Sequence, residues 1–154
     1  MQLDTDSAVA KTLDASDIAA RIPHGNSMSL LDRVNAWDKE QIVCSTRSHL
    51  RNDNPLKEDS LLTSVSLVEY GAQAAAIHAS LLQNSMDDTG PAYLGAIKAL
   101  KLLSEIVPQT DDDLTIEARA EFHNSSGAIY YFTASIMKTV LAKGKLVLVQ
   151  PSQP

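Results

Sequence analysis

The stretch from Leu61 to Gln83 constrains the fold more strongly than any other part of the sequence. It spans 23 residues without a proline, carries a single charge at Glu69, and is apolar on nearly every side. Its alanine, leucine and valine content suits a helix, and it is too long for an ordinary strand. A helix that is apolar all round is buried within a protein. The sequence therefore predicts one long central helix over Leu62–Gln83, with the rest of the chain wrapped around it.

One polar stripe runs along this predicted helix. Ser66, Glu69, Gln73 and Ser80 follow one another at intervals of three, four and seven residues, which places them on one face. A carboxylate on an apolar helix is costly unless it is partnered or hydrated, and positioned carboxylates serve as general acids or bases. The alternative interpretation is a capping box, because Ser66-x-x-Glu69 has its spacing. In that case the helix begins near Leu67 and Glu69 only caps it.

The composition argues against several classes of partner. The chain has 13 basic and 19 acidic residues, a net charge of −6, and its sequence indicates no basic patch. We therefore expect neither nucleic acid nor a membrane as a partner. The single cysteine, Cys44, cannot form an internal disulfide, and no Cys/His cluster has zinc spacing, so no metal or other cofactor is expected. The N-terminus lacks the features of a signal peptide, which makes a cytoplasmic location the simplest expectation.

Periodicity along the rest of the chain predicts a short helix and several strands. Capping residues at Asp14–Asp17 precede the predicted helix, which covers Ile18–Arg21. Alternating or β-branched segments predict strands at Met28–Ala36, Gln41–His49, Leu114–His123, Ala128–Val140 and Lys145–Gln150, with a turn at Ala142–Gly144. Tyr93–Ile106 suits a helix and a strand about equally. We expect one domain over residues 1–154, of which residues 1–15 form a flexible N-terminal segment.

The order of these elements predicts the architecture. Two strands precede the central helix, and three or four strands follow it. A single helix cannot cover a flat six-strand sheet, whereas a strongly curved antiparallel sheet buries the helix on most sides. The sequence thus predicts an α+β hotdog fold, in which the outer sheet face and the edge strand commonly form a dimer interface.

Four motifs, in the same order along the chain, resemble those of a known family. The family is that of the 3-hydroxyacyl-(acyl-carrier-protein) dehydratases. Ile22–His24 with Ser29–Val34 resembles their opening “LPH…LLVDRV”, and Val68–Ala75 resembles their helix motif “EAxAQAA”. Tyr93–Ile97 and Lys143–Val147 resemble “FLAGI” and “DGKLV”. The resemblance covers about residues 20 to 150, and the shared order and spacing make it specific.

Within that family the chain is most similar to the aryl polyene-type dehydratase-like proteins. Their motifs “PHxxPM”, “NPF” and “EYMAQAxAxHAGL” have counterparts in Pro23-His24, in Asn54-Pro55 and in the helix from Glu69 to His78. The resemblance implies dehydration of 3-hydroxyacyl thioesters carried by acyl carrier protein, in fatty-acid or polyene-type biosynthesis. A coenzyme A thioester is the alternative carrier, and no cofactor takes part.

The resemblance also implies the roles of individual residues. In the family the helical acid, here Glu69, meets a histidine contributed by the other subunit. The histidine removes the C2 proton, the acid helps the C3 hydroxyl leave, and the helix N-terminus polarises the thioester carbonyl. We expect Gln73, Asn54 and Ser66 to bind substrate, and we expect a homodimer or a heterodimer with another hotdog protein.

One departure from the family pattern concerns the catalytic histidine. The standard dehydratases carry “GHFPxxPxxPG” just before the helix, whereas residues 54–62 of this chain contain no histidine. His24, His49 and His78 are the candidates for its role, and His123 is a weaker fourth. The alternative interpretations are that His24 orders its turn and that His49 lies on the surface. For His78 a packing role is expected, and for His123 a surface position.

Three functions follow from this departure. The first is a dehydratase that uses Glu69 with a replacement histidine. The second is a catalytically weak subunit that binds an acyl carrier and pairs with an active hotdog partner. The third is a hotdog thioesterase, because such enzymes also use a helical carboxylate. The missing histidine favours the second function, and the retained Glu69 and Gln73 favour the first.

Overall fold

A computed structural model describes residues 12–21, 29–83 and 93–149 of the protein. Two α-helices and six strands lie in these ranges. The helices are α1 (Ala15–Ala19) and α2 (Leu67–Gln83). The strands are β1 (Arg33–Trp37), β2 (Gln41–Thr46), β3 (Tyr93–Leu102), β4 (Leu114–Asn124), β5 (Gly127–Ile136) and β6 (Thr139–Val149). None of the described helices is long and apolar enough to cross a membrane.

The six strands form one antiparallel sheet that packs on α2. The strand order is β1-β2-β4-β5-β6-β3, so β1 and β3 are the two edges. Side chains alternate between the buried inner face and the outer face, most regularly in β5, where Ala128, Tyr130, Phe132, Ala134 and Ile136 all point inward. The central helix contacts β2, β4, β5 and β6. The hotdog fold predicted from the sequence is confirmed.

The central helix begins later than the predicted Leu62, at the residue near which the capping-box alternative places its start. A 3-10 turn covers Ser64–Ser66, and α2 proper begins at Leu67. The helix lies very close to the sheet at Gly71, where an added Cβ would come within 2.6 Å of the Phe132 ring. Glycine is therefore required at this position if α2 is to pack on β5 at its present distance.

The ambiguous segment after the helix is a strand. Tyr93–Leu102 pairs with β6 along the edge of the sheet, and its register shifts between Lys98 and Lys101. Ala99 lies in this irregularity with a φ of 52°. The bulge reconciles the helix-like spacing of apolar residues with an extended chain, because one extra residue changes which side chains point inward.

The last hairpin was predicted at the wrong place. Its turn is Met137–Lys138, with positive φ at both residues, and not Ala142–Gly144. Gly144 lies within β6, where an added Cβ would be 3.2 Å from the Leu100 backbone and 3.4 Å from the Phe132 ring. This glycine therefore marks a close approach between strands and not a turn.

The N-terminal elements also differ from prediction in their boundaries. Asp14 caps α1 through a capping box with Asp17, so that the helix begins at Ala15 and not at Ile18. Of the predicted flexible segment 1–15, residues 1–11 lie outside the described residues, while Leu13 exchanges backbone hydrogen bonds with Val34. The predicted strand from residue 28 becomes regular only at Arg33, where pairing with β2 starts.

Candidate active site

A pocket of about 290 Å³ lies at the N-terminal end of α2. Thr63 and Val65, which precede the helix, line one side, and the chain following β3 lines the other, at Leu102, Leu103, Ser104 and Glu105. Backbone hydrogen bonds join the two sides, from Ser64 N to Glu105 O (2.9 Å) and from Val107 N to Leu62 O (2.8 Å). The entry of the helix and the end of the edge strand are thus fixed against each other.

Glu69 lies four residues after the pocket-lining Val65, a spacing that places both on one side of the helical turns, and Glu69 itself is not among the residues that line the pocket. Its side chain is half-buried, and within the described ranges it takes part in no hydrogen bond or ion pair. The described part of the chain leaves this carboxyl without a partner, which is compatible with a contact to a ligand. A catalytic role for Glu69 remains a prediction.

The capping-box interpretation of Ser66 and Glu69 is wrong. The helical turn already begins at Ser64, and Ser66 lies inside it, so its backbone does not have the extended conformation of an N-cap. The Ser66 hydroxyl lies 3.4 Å from the Thr63 hydroxyl. A substrate-binding role for Ser66 remains a prediction.

Ser64 is a residue that the sequence did not indicate. It is fully buried, and its hydroxyl has no hydrogen-bond partner in the described part of the chain. It is adjacent to the pocket-lining residues Thr63 and Val65. Only the folded arrangement distinguishes it from the neighbouring Ser66, because both serines lie in the same polar run of sequence.

Gln73 connects the helix to the chain segment that follows His24. Its side-chain oxygen accepts a hydrogen bond from Leu30 N at 3.0 Å. The Leu30 carbonyl in turn accepts hydrogen bonds from Thr46 Oγ1 (2.6 Å) and Ser48 Oγ (2.7 Å). Both backbone groups of Leu30 are therefore held by side chains. His24 itself lies outside the described residues, and its predicted catalytic role remains a prediction.

Asn54 is part of a buried polar network beside α2. Its amide nitrogen donates to Ser48 O (2.8 Å) and to the Tyr70 hydroxyl (2.9 Å), and its oxygen accepts from Leu56 N. Tyr70 is also hydrogen-bonded to the Ser48 hydroxyl, and burial raises its pKa. Asn54 thus holds the loop before the helix in place, and its predicted contact with substrate remains a prediction.

His49 is fully buried, so the expectation of a surface histidine is wrong. It lies in a 3-10 turn, Ser48–Leu50, that follows β2, and neither ring nitrogen has a hydrogen-bond partner among the described residues. Burial lowers its pKa. The backbone of Asp112 opposes this shift.

His78 has the packing role expected of it, and His123 is exposed as expected. The carbonyl of Asp38 can only accept, so His78 Nε2 donates to it (2.7 Å) and Nδ1 faces the Tyr130 hydroxyl (2.6 Å). Burial lowers the pKa of His78. The His78 ring thus joins the turn between β1 and β2 to the central helix through a hydrogen bond.

Acidification is expected to destabilise the fold through His78. Its pKa in the folded state lies below the unfolded value of 6.5, so the unfolded chain binds the proton more readily. Stability is full above pH 6.5 and falls as the pH drops below it, by about 1.4 kcal/mol for each unit of pKa difference. Melting temperatures between pH 5 and 8 should therefore change less in His78→Gln than in wild type. His123→Gln removes a smaller contribution to the same shift and should have an intermediate effect. Parallel curves for all three proteins would refute the assignment.

Comparison with known proteins assigns the chain to a family. Residues 16–154 match the family described as ApeP-like, ApeP dehydratase. The chain belongs to the ApeP-like dehydratase family. The resemblance predicted from the sequence motifs is thereby confirmed at the level of the family. A comparison with curated protein sequences gives no significant match.

Solved structures share the fold of this ApeP-like protein. A dehydratase heterocomplex, ApeI:P from Xenorhabdus doucetiae, has 20% identity and a TM-score of 0.77, over 88% of this chain and 91% of that one. A mutant thioesterase from Pseudomonas aeruginosa has 15% identity and a TM-score of 0.61, over 94% and 100%. A thioesterase from Haemophilus influenzae has 11% identity and a TM-score of 0.63, over 93% of both chains. At these identities the likeness concerns the fold.

Proposed function

We propose that this ApeP-like protein is a dehydratase subunit for 3-hydroxyacyl thioesters carried by acyl carrier protein or coenzyme A. The observation that carries the proposal is the half-buried carboxyl of Glu69, which no described side chain engages, one turn from a pocket at the helix N-terminus. Family membership supports the reaction type. Fatty-acid or polyene-type biosynthesis is the setting we propose for it.

The proposed reaction eliminates water from the acyl chain. A base removes the proton from C2, the C2–H electrons form the C2=C3 double bond, and the C3–O bond breaks. The protonated Glu69 carboxyl donates its proton to the C3 hydroxyl, which departs as water, and the proton that the base took from C2 balances the one that Glu69 gave up. Partial positive charge at the N-terminus of α2 favours the enolate-like thioester oxygen that develops in the transition state.

The loop at residues 54–62 contains no histidine, so the base must come from another part of the assembly. We propose His24 of this chain, or a histidine of a partner subunit. His49 is a weaker candidate, since its ring is fully buried within this chain. A base supplied by the partner would make the site complete only in a dimer.

The edge strand β3 supports the proposal of a hotdog partner. Leu94, Ile97 and Leu102 are paired with the inward-facing Leu148, Leu146 and Ala142, yet they are 36%, 42% and 45% exposed. An apolar inner face on an open sheet edge is typical of an interaction surface. The solved heterocomplex from Xenorhabdus doucetiae supports the same partner type.

Assay of thioester turnover tests the proposed function. The full chain, alone and mixed with its hotdog partner, is given a 3-hydroxyacyl carrier protein, and water loss is followed by mass spectrometry. Appearance of the 2-enoyl product supports the dehydratase. Release of a free thiol without dehydration would identify a thioesterase instead.

The missing loop histidine favours one alternative, a carrier-binding subunit that is inactive by itself. In that case the carrier binds, but no product forms unless the partner is active. Ile97→Glu tests whether the protein assembles with its partner through β3. A charge at this edge should reduce assembly strongly, as measured by analytical ultracentrifugation. Met137→Glu, at an exposed apolar position in the turn between β5 and β6, is the control and should leave assembly unchanged. Equal sedimentation of all variants would refute pairing through β3.

A further inference from the structure

The connection between β3 and β4 links the pocket to a buried histidine through one continuous segment. We call residues 103–113 the strap. The later part of the strap places the backbone of Thr110 and Asp112 next to the His49 ring. The first part lines the pocket at the N-terminus of α2, with Leu103, Ser104 and Glu105. A movement of the strap therefore changes the surroundings of the pocket and of His49 together.

The strap is held mainly by backbone hydrogen bonds at its pocket end and by exposed ion pairs at its far end. The two backbone hydrogen bonds are those of Glu105 and Val107 described above, and Val107 is the one strap side chain that is fully buried. At the far end Asp111 and Asp113 form ion pairs with arginines on the surface. Because exposed ion pairs contribute little to stability, the far end is held weakly.

Two polar side chains next to the strap are buried without hydrogen-bond partners. They are the His49 ring, at both nitrogens, and the Ser64 hydroxyl, and both side chains are fully buried among the described residues. A buried polar group without a partner costs free energy that water would return on exposure. Closure of the strap carries this cost at each of its two ends, so the unpartnered groups favour its opening.

The surroundings of His49 disfavour a positive charge on its ring. Burial lowers the pKa of the imidazole, and the charges of Arg47 and Lys57 lower it further, while the backbone of Asp112 and Thr110 opposes them. The Lys57 ammonium donates to the side chain of the strap at 3.2 Å and has no ion pair in the described ranges. The other charges nearby are joined in surface ion pairs, namely Arg33–Asp113, Arg47–Asp111, Arg47–Asp113 and Arg51–Asp53.

We propose that the strap is a pH-sensitive wall of the pocket, which opens when His49 takes up a proton. A protonated ring beneath the closed strap is a buried cation near Arg47 and Lys57, whereas water hydrates it once the strap opens. The open form therefore binds the proton more readily, near the ordinary pKa of 6.5. Closure is fully favoured above pH 6.5 and is lost as the pH falls below it. Opening removes one wall of the pocket, and the inference rests on the proposed function only for what the pocket binds.

Hydrogen exchange of the full chain at pH 7.5 and pH 5.5, corrected for the intrinsic exchange rate at each pH, tests the proposal. Ordinary carboxylates stay ionised over this range, so the ion pairs of the strap are retained. The reporters are the amides of Leu103 and Val107, which donate to Leu141 O and Leu62 O. Their protection should fall at pH 5.5 by up to about tenfold, the limit for one proton bound with a pKa of 6.5 in the open form.

Two pairs of variants assign this fall to His49. His49→Leu removes the titrating group and should make protection of the strap equal at both pH values, whereas His78→Gln, the control, should keep the wild-type fall. Lys57→Gln leaves the buried ring in place, so it decides the question if His49→Leu does not fold. Loss of the Lys57 charge should make the fall smaller, and Lys39→Gln, on the exposed turn between β1 and β2, should not change it.

Constant protection in wild type, an equal fall in His49→Leu, loss of the fall in His78→Gln, or equal falls in the two lysine variants would overturn the proposal. These measurements contain no thioester, so their outcome does not depend on the proposed reaction. Adding 3-hydroxyacyl pantetheine at pH 5.5 tests the proposed function separately, because a ligand bound between Val65 and Leu103 should restore protection of the strap. If the pH response is present but the thioester restores nothing, the pH-sensitive strap is supported and the proposed ligand is not.

Discussion

Replacing Glu69 with glutamine is expected to slow dehydration of a 3-hydroxyacyl thioester by about 10²–10⁴-fold. Glutamine keeps the size and most of the hydrogen-bonding capacity of glutamate, but it cannot transfer a proton. The melting temperature should hardly change, because Glu69 takes part in no hydrogen bond or ion pair in the described ranges. The measurement is kcat with the assembled protein, and the melting temperature of each variant reports its fold.

A matched substitution shows whether the effect belongs to the site. Glu117→Gln removes a carboxylate from the exposed outer face of β4, away from the pocket, and should keep wild-type turnover. Retention of full activity by Glu69→Gln would exclude an acid–base role for this residue. A lower melting temperature for Glu69→Gln would indicate instead that the carboxyl supports the fold.

The sequence predicts the centre of this fold well because the decisive pattern is local. The nearly uncharged run that becomes α2 identifies a buried helix, and β4 is identified by its alternation. The segment from Tyr93 has apolar residues at spacings that suit both structures. Pairing with β6 and a bulge at Ala99 decide for the strand, and neither is visible in the segment itself.

The last hairpin shows why residue types that are common in turns can predict a turn at the wrong position. Gly144 suggests a turn by its residue type, but its role is to let Leu100 and the Phe132 ring approach the strand. The true turn, Met137–Lys138, lacks the glycine and asparagine that usually adopt positive φ. Register with β5 and not residue preference places this turn.

The candidate site could be predicted only in part. Glu69 stands out in the sequence because a lone acid on an apolar helix needs an explanation. His49 is buried by its own 3-10 turn and by the chain near Asp112. Asp112 lies far from His49 in the sequence, so no local pattern indicates this burial. The unpartnered hydroxyl of Ser64 likewise becomes apparent only in the folded chain.

Removing the Phe132 ring is expected to have the largest effect on stability. The ring is fully buried beneath α2, where it fills the space next to Gly71. Phe132→Ala should lower the free energy of unfolding by about 3–5 kcal/mol. For a domain of this size the melting temperature falls by about 2–4 °C for each kcal/mol. Urea denaturation measures the loss directly.

The same contact predicts that the cost of Gly71→Ala depends on its background. In wild type the new Cβ meets the ring at 2.6 Å, and overpacking costs about 1–3 kcal/mol, which offsets or exceeds the gain in helix propensity. In Phe132→Ala the ring is gone, but the Cβ of residue 132 remains 2.9 Å from the new Cβ, so Gly71→Ala should cost less than in wild type without becoming free of strain. An equal effect in both backgrounds would show that the packing of the helix does not depend on this ring. If the packing of α2 depends on this contact, Gly71→Ala in wild type should also reduce turnover. A displaced α2 would move Glu69, two residues from Gly71, relative to the pocket.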